Sequence, residues 1–537
     1  MKRKHARQRQ IRSCKTTLAE AQLQSESGIP PDVARNARIE LRRVLGWLMI
    51  IVLSAVNLYR AATQSIVGDE ALTFHWFLRG GWIDVFQKFD ANNHVLYSAL
   101  AKASVSVFGV SELAIRMPSV VAGVFYLIAA YRISMRNFPG LATFLLSQAL
   151  LSLNPLVLDF LSLGRGYGLG LAALFWALHE AQNYFDRRRR TLIPVGVLCA
   201  VAVCANLVYA VPTSGLFAVL IGLVLLRRQP LRPVLAAILV CAAISAALLS
   251  VPLSHAVRDH FYAGSATIAE SYISLIHTTI PQRATVVSGW LAAGLLGITL
   301  IVSAGRPQNL SNLPAAVLAF SLAALVAANA ILGVPLPVNR TGLYLIPLFS
   351  LAAVAAMQQL SAGRLQTAVR FPFLAVLWAL VLVYLMSFRV NRYPIWWQDS
   401  ATKQAVQQLR ALVRQRQWQT PVLVGVTFWL YPGLEFYRLR DPGWFYAVPV
   451  QDGCVENATD FGIESSRESR EFRARMGADR RPDVYFLHNA DRRFEQVCRL
   501  KEFFQYESAS LALALPDQAS ASGSGAGPSM GGTKETR

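Results

Sequence analysis

Long apolar runs separated by short polar connections fill most of the chain up to residue 389. A helix needs about 20 mostly apolar residues to cross a bilayer, and eleven runs approach that length. These predicted spans are Val44–Tyr59, Ala114–Tyr131, Leu141–Leu158, Tyr167–Phe185, Thr191–Ala210, Val211–Leu226, Val234–Leu253, Ala284–Ser303, Pro314–Leu332, Leu343–Ala356 and Phe371–Met386. Residues 95–108 are too short to span, and small polar residues along one side predict an interfacial helix. The pattern predicts an α-helical polytopic membrane protein with about eleven transmembrane helices.

The pattern changes after residue 389. Ser400–Arg416 has the spacing of an amphipathic helix, while Pro421–Thr427 and Asp483–Leu487 are short strand-like runs, so a small α/β domain is predicted. Beyond it the chain is rich in Ser, Ala and Gly and holds too little apolar surface to order itself. The predicted division of the chain is a basic cytoplasmic arm at 1–43, a transmembrane domain at 44–389 with a long outer loop at 60–113, an extracytoplasmic α/β domain at 390–515 and a disordered tail at 516–537.

Composition agrees with a membrane protein. Hydrophobic residues make up 54% of the chain, charged residues 15%, and the mean hydropathy is +0.37. The net charge of +21 comes from Lys and Arg in the arm and in short connections. Residues 1–43 hold 11 Lys and Arg against 4 Asp and Glu, without interleaved aromatic residues. We therefore expect the arm to contact anionic lipid and expect no nucleic-acid partner.

The basic connections predict an orientation. Cytoplasmic loops carry an excess of Lys and Arg, so the N-terminus and every second connection are placed in the cytoplasm. The connections predicted to be cytoplasmic contain Arg132 and Arg136, Arg187 to Arg190, Arg227, Arg228 and Arg232, Arg306, and Arg364 and Arg370. An odd number of spans then places the C-terminal domain outside. The Ala-, Leu- and Arg-rich composition is typical of a bacterial inner membrane protein.

The cysteines divide by location. Cys199, Cys204 and Cys241 lie within apolar runs, where a free thiol usually packs as a small hydrophobic side chain. Cys454 and Cys498 lie in the polar C-terminal region, and an extracytoplasmic location favours a disulfide between them.

The predicted orientation places the polar side chains that could take part in catalysis or binding on the outer side. They are Asp69, Glu70, Asn93, His94, Arg165, Tyr167, His255, Arg258, His260 and Arg340. A carboxylate at a membrane surface suits the removal of a proton from a hydroxyl acceptor. Each group also has a structural interpretation. The two carboxylates are placed to cap a helix that starts at Ala71, the arginines to reach lipid headgroups, and the 255–260 residues to lie in a solvated loop.

Several of these residues belong to motifs that resemble a known family. The segment Gly68-Asp69-Glu70-Ala71 is followed by Asn93-His94-Val95-Leu96-Tyr97 with Lys102, and then by Arg116-Met117-Pro118-Ser119. Further on come Asn154-Pro155, Gly164-Arg165-Gly166-Tyr167, and Arg340-Thr341-Gly342-Leu343-Tyr344 with Pro347. In order and placement these motifs resemble the polyprenyl-phosphate-sugar-dependent glycosyltransferases of the GT-C class. That class includes protein mannosyltransferases, lipid A aminoarabinose transferases and rhizobial lipopolysaccharide transferases.

The resemblance implies a fold and a mechanism. It implies a GT-C type membrane protein whose donor is a sugar on a polyprenyl phosphate, with a glycan, lipid or protein as the acceptor. Asp69 resembles the family's general base, and Glu70 is expected to orient the base or the acceptor. Arg165 and Arg340 are expected to bind the phosphate, with further hydrogen bonds from Tyr167 and His94. A single displacement implies inversion at the anomeric carbon, and Asp69 and Glu70 are also candidate ligands of a divalent cation.

Two other functions compete with the transferase. A transporter or flippase of lipid-linked saccharides needs repeated halves and charged groups near the midplane of the membrane. The chain shows no clear internal repeat, and its charges gather at the ends of the spans. A non-catalytic binder of lipid-linked saccharide is the third hypothesis. Neither the sugar nor the acceptor is specified by the motifs.

Overall fold

A computed structural model describes residues 31–256, 264–279, 285–360, 364–451, 455–456, 465–476, 482–488, 500–506 and 511–516. Helices dominate up to residue 387, and a sheet follows. The α-helices are α1 Pro31–Thr63, α2 Gly68–Thr73, α3 Trp82–Gln87, α4 Val95–Phe108, α5 Glu112–Asn137, α6 Leu141–Ser152, α7 Pro155–Phe160, α8 Gly166–Phe185, α9 Ile193–Ala205, α10 Ala210–Leu226, α11 Arg232–Ser254, α12 Ile268–His277, α13 Thr285–Ala304, α14 Leu313–Leu332, α15 Leu345–Gln359, α16 Arg364–Ser387, α17 Thr402–Gln415, α18 Tyr431–Arg440 and α19 Ser465–Met476. The strands are β1 Val422–Thr427, β2 Phe445–Gln451, β3 Val455–Glu456, β4 Val484–His488, β5 Leu500–Tyr506 and β6 Leu511–Pro516.

Each of the eleven predicted spans overlaps a helix. Within the described residues, 7 helices are long and apolar enough to cross a membrane: Arg35–Thr63, Glu112–Asn137, Leu207–Leu226, Arg232–Ser254, Leu310–Leu332, Asn339–Gln359 and Ala368–Ser387. The shorter apolar helices are Val95–Phe108, Leu141–Ser152, Ile193–Ala205 and Gly289–Ala304. The chain is therefore a multi-pass membrane protein, while the number of eleven spans stays a prediction.

Two predicted spans are interrupted by asparagines. The run Leu141–Leu158 is broken because Pro155 starts a new helix and the Asn154 side chain accepts a hydrogen bond from the Val157 N–H at 3.1 Å. The run Thr191–Ala210 is broken at Asn206, whose side chain accepts from the Val208 N–H at 3.1 Å. Each capping side chain satisfies a backbone donor that an uninterrupted helix would have used. Sequence hydropathy alone treats both runs as continuous.

The connections between helices meet at two opposite ends of the bundle. At one end, the Arg42 guanidinium donates to the carbonyls of Met135 and Pro139, and Arg227 donates to the carbonyl of Gln308. These contacts join the connections predicted to be cytoplasmic. At the other end lie the segment 64–111, the residues before α8, and the turn Asn339–Gly342. The orientation of these ends relative to a membrane stays a prediction.

The region after residue 390 forms the predicted α/β domain. Its sheet has the order β3-β2-β1-β4-β6-β5, with β1 parallel to β2 and β4. The predicted amphipathic helix is α17, and the two predicted strands are β1 and β4. Leu409 of α17 and Val424 of β1 belong to the same buried core, since the apolar face of the helix covers the sheet. The domain boundaries stay a prediction.

This domain packs on the predicted outer loop. The rings of Phe74 and Phe436 meet edge to face at 5.2 Å. The Tyr437 hydroxyl donates to Glu112 at 3.0 Å and accepts from the Ile66 N–H at 3.0 Å. Apolar and polar contacts therefore hold the domain against the segment that carries Asp69.

Within the described residues, Cys199, Cys204 and Cys241 are free and buried, as expected for thiols in apolar helices. Cys454 and Cys498 lie outside the described residues, so their disulfide stays a prediction. Residues 1–30 of the predicted arm at 1–43, and residues 517–537, also lie outside them.

Candidate active site

Asp69 meets two arginines from distant parts of the chain. It lies in the first turn of α2, where an acidic residue is favoured. Its Oδ2 atom is 3.1 Å from Nη2 of Arg340 and 3.8 Å from Nη2 of Arg165. The Asp69 side chain is 18% exposed. The fold thus brings together the carboxylate and both arginines that the motifs single out.

Arg165 is the more constrained of the two arginines. Its side chain is 2% exposed, and its guanidinium donates to Asn92 Oδ1 at 2.8 Å and to Thr73 Oγ1 at 3.1 Å. The flanking glycine allows this placement, because a Cβ on Gly166 would lie 1.9 Å from the carbonyl oxygen of Ala205. Arg165 is therefore a fixed cation at the start of α8.

Arg340 is more accessible. It lies in a short 3₁₀ turn, Asn339–Gly342, and its side chain is 23% exposed. Its guanidinium lies over the ring of Trp396, 5.4 Å from the centroid, which is a favourable cation–π arrangement. Arg340 presents positive charge to solvent, whereas Arg165 is enclosed.

His94 is held neutral beside these cations. Its Nδ1 accepts from the Gly166 N–H at 2.8 Å, so the proton of the neutral ring is on Nε2. That Nε2 is 3.0 Å from Nδ2 of Asn206 and 3.5 Å from Nη2 of Arg165. Burial, and then the charges of Arg165 and Arg340, hold the pKa of His94 well below 6.5. The imidazole of His94, the amide of Asn206 and the guanidinium of Arg165 therefore meet at one place, where the guanidinium suits an anionic oxygen.

These residues line a cavity of about 290 Å³. Its polar lining includes Asp90, Asn92, Asn93, His94, Arg165, Tyr167, Asn206, Arg340, Thr341 and Tyr344. Its apolar lining includes Leu207, Val208, Val211, Leu325, Val334, Pro335 and Pro337. Asp69 is not part of the lining, but it contacts both arginines that are. A cavity that combines two arginines and one carboxylate with apolar side chains suits an amphipathic anion bound at the arginines.

Tyr167 joins the polar wall through its ring. The ring meets His94 edge to face at 5.1 Å and lies 4.6 Å from Phe160. The Tyr167 side chain is buried and borders the cavity. It therefore supports His94 in addition to facing the cavity.

Glu70 is separated from this cavity. The guanidinium of Arg116 donates to both of its carboxylate oxygens, at 2.8 and 2.6 Å. The N–H groups of Gly164 and Val67 donate to the same carboxylate. Because donors occupy both oxygens, this arrangement does not fit a divalent cation shared by Asp69 and Glu70. Among the described residues there is no group of three or more His, Cys, Asp and Glu side chains that suits a metal ion.

The remaining candidates lie elsewhere. His255 is exposed at the end of α11 and does not border the cavity. Arg258 and His260 lie outside the described residues. Lys102 donates to the carbonyls of Leu78 and Gly80 at 3.0 and 2.6 Å, and so fixes the turn before α3.

Sequence reasoning missed three residues at the site. Asn206 is an isolated polar residue within an apolar run, and that isolation is a usable signal. Trp396 and Asp399 lie in a short 3₁₀ segment, Pro394–Ala401, which has no periodic pattern. Asp399 is buried and its Oδ2 accepts from the Gly68 N–H at 3.0 Å. Burial, opposed by the Gly68 hydrogen bond and reinforced by Asp69 and Glu70, raises the pKa of Asp399 to about 7.

No protein-family model matches the sequence, and no curated protein matches it. Among solved structures, the fold is similar to apo ArnT from Cupriavidus metallidurans, with a TM-score of 0.51 and 15% identity over 91% of this chain and 100% of that chain. The same protein bound to undecaprenyl phosphate gives a TM-score of 0.49, 15% identity and coverage of 90% and 99%. AglB from Archaeoglobus fulgidus, in complex with an inhibitory peptide and a dolichol-phosphate, gives a TM-score of 0.44 and 12% identity. The match covers 83% of this chain and 70% of that chain. The similarity to apo ArnT shows the fold, which is that of the GT-C class.

Proposed function

We propose that this protein is a membrane glycosyltransferase that moves a sugar from a polyprenyl phosphate to a hydroxyl group of an envelope lipid, glycan or protein, on the outer face of a bacterial inner membrane. The observation that carries the proposal is the position of Asp69, 3.1 Å from Arg340 and 3.8 Å from Arg165 beside a half-apolar cavity. The GT-C fold supports it, because the fold occurs in glycosyltransferases.

The cavity divides the donor into two parts. The lipid chain lies along the apolar wall, which includes Leu325 of α14 and Val211 of α10. The phosphate lies against Arg165 and Arg340, whose guanidinium groups match phosphate oxygens. The neutral imidazole of His94 lies beside Arg165. This arrangement anchors the leaving group at the two arginines.

Asp69 is the general base. It takes the proton of the acceptor hydroxyl while that oxygen bonds to the anomeric carbon. The bond between the anomeric carbon and the phosphate oxygen breaks, and the lipid phosphate leaves with the electron pair. A single displacement inverts the anomeric configuration. A positioned base contributes roughly 10²- to 10⁴-fold in rate, and the arginines stabilise the charge that grows on the phosphate.

Glu70 has a supporting role in this mechanism. Its contacts with Arg116, Gly164 and Val67 tie α2 to α5 and to the residues before α8. The Glu70–Arg116 ion pair therefore fixes the positions of Asp69 and Arg165 relative to each other. Glu70 itself does not reach the reacting atoms.

The test compares envelope glycans by mass spectrometry. A deletion strain is complemented with wild type, Asp69→Asn or the control Asp84→Asn. Asp84 lies in the same predicted loop, forms an ion pair with Lys88, and is also 18% exposed. We expect wild type and the control to restore a glycan that Asp69→Asn does not, at equal expression. Full restoration by Asp69→Asn would contradict the general-base assignment. If Asp69→Asn lacks the glycan because its lipid-linked precursor is no longer transported across the membrane, the result would favour a flippase.

A further inference from the structure

The segment Pro394–Ala401 lies beside the Asp69–Arg340 ion pair and contacts Arg340 and the residue before Asp69. Trp396 lies beneath the Arg340 guanidinium at 5.4 Å and is itself buried. Three residues later, Asp399 accepts a hydrogen bond from the N–H of Gly68, the residue before Asp69. The segment therefore reaches the acid and the cation of the site from one side.

Further hydrogen bonds fix this segment to the chain before α2. The Ser65 hydroxyl donates to the carbonyl of Ser400 at 2.8 Å and accepts from the Lys403 N–H at 3.1 Å. The ring of Trp396 also meets Phe160 edge to face at 5.9 Å, and Phe160 packs on Tyr167. The beginning of the predicted outer domain is thus joined to the cavity wall as well as to Asp69.

We infer that Asp399 is a positioning residue for Asp69, and that the C-terminal domain completes the active site through it. The inference rests on the proposed function and adds a second carboxyl group to that site. Gly68 has no side chain of its own to restrain the backbone. The hydrogen bond from its N–H to Asp399 therefore fixes the backbone that orients the Asp69 side chain. A displacement near 1 Å costs roughly 100-fold in rate when a reacting group must be aligned.

The groups that face Asp399 agree with this role. Asp69 and Glu70 of α2 both act on it electrostatically, and the Gly68 N–H is its hydrogen-bond donor. Arg340 lies over Trp396 in the same segment. Burial, and then the charges of Asp69 and Glu70, raise the pKa of Asp399 and favour its protonated form. In that state Asp399 accepts from Gly68 without competing for the arginines.

Three variants of the full chain test the inference. Asp399→Ala removes the acceptor, whereas Asp399→Asn keeps a carbonyl oxygen in its place. Ser400→Ala is the control, because its hydroxyl is exposed and donates only within the segment, to the carbonyl of Trp397. Each protein is reconstituted in nanodiscs for hydrogen exchange of residues 65–73 and for binding of undecaprenyl phosphate. Each is also expressed in the deletion strain, where the rate of glycan formation is measured.

For Asp399→Ala we expect faster exchange of the 65–73 peptide and transfer lowered by about 10- to 100-fold. Binding of undecaprenyl phosphate is expected to stay within about twofold, because the arginines are retained and the loss falls on the transition state. Asp399→Asn should restore both the slow exchange and most of the transfer. This separation of binding from transfer distinguishes positioning from a general loss of folding.

The inference is overturned if Asp399→Ala matches Ser400→Ala in both exchange and transfer. It is also overturned if Asp399→Asn is as impaired as Asp399→Ala, since the carbonyl acceptor would then have no value. If wild type restores no glycan, the proposed function fails, and the exchange of residues 65–73 alone decides whether Asp399 positions Asp69.

Discussion

Asp69 and Glu70 are neighbours in the chain, but their surroundings differ in kind. Glu70 is fully enclosed, and Arg116 and two backbone N–H groups occupy its oxygens. Asp69 keeps partial exposure and contacts arginines that border a cavity. One carboxylate has all its partners within the protein, while the other shares its partners with whatever enters the cavity.

The difference shows how one turn of helix serves two purposes. Successive residues of an α-helix point about 100° apart, at 3.6 residues per turn, so adjacent carboxylates face different parts of the molecule. Removing one member of a buried ion pair leaves an uncompensated charge. Removing a carboxylate at a cavity leaves the fold and changes the chemistry. The predictions below test that distinction.

The largest effect is expected for Asp69→Asn. Loss of the base should lower glycan transfer by about 10²- to 10⁴-fold, while the thermal unfolding temperature stays near that of wild type. Quantitative mass spectrometry of the product and differential scanning fluorimetry of the purified protein measure the two quantities. A large fall in unfolding temperature would mean that Asp69 is structural, like its neighbour.

Glu70→Gln is expected to have the opposite profile. It leaves Arg116 buried without its anionic partner, and breaking such a pair costs about 3–5 kcal/mol of stability. Chemical unfolding in detergent measures this loss. Glu40→Gln, which removes an exposed carboxylate paired with Arg43, is the control and should change stability little. Equal stability of the two variants would remove the distinction between Asp69 and Glu70.

Arg340→Lys should weaken donor binding by about tenfold, because a lysine cannot make the bidentate contact with phosphate that a guanidinium makes. Undecaprenyl phosphate in nanodiscs is the probe, and Arg392→Lys is the control. Arg392 is half-buried and does not border the cavity. Unchanged binding by Arg340→Lys would place the phosphate elsewhere.

The last prediction concerns a third carboxyl group. The folded protein raises the pKa of Asp399 from 3.8 to about 7, mainly through burial. The protonated form is therefore favoured by folding, and its stabilising contribution is present below pH 4 and lost as the pH rises through 7. The difference in unfolding temperature between wild type and Asp399→Asn should therefore decrease as the pH is raised from 4 to 7. A constant difference from pH 4 to pH 8 would contradict the pKa of Asp399.

Much of the fold was accessible from the sequence. Apolar runs are long and punctuated by charged connections, so the helices could be placed by hydropathy alone. The amphipathic helix at 402–415 and the strands at 422–427 and 484–488 were also predictable, because their periodicity differs from that of a membrane span. The breaks at Asn154 and Asn206 were not, since a single polar residue barely changes an average over a run.

The site was accessible only in part. The motifs indicated Asp69, Arg165 and Arg340 as a group, and the structure brings them within 3.8 Å. The motifs also indicated Glu70, as a group that orients the base or the acceptor, but they could not show its separation from the cavity, because sequence adjacency does not show the direction of a side chain. Asp399 could not be found, since its importance depends on a contact with Gly68 across more than 300 positions.

The glycine after Arg165 restricts how the cavity can change. A methyl group at position 166 would strike the carbonyl of Ala205 and the Cβ of His94, so growth there would push two helices and the imidazole apart together. The apolar lining, with Leu325 and Val334, consists of side chains of adjustable size. Attempts to make the protein accept a bulkier lipid should therefore change the apolar side chains of the lining. The tight contact between the start of α8 and the end of α9 should be left unchanged.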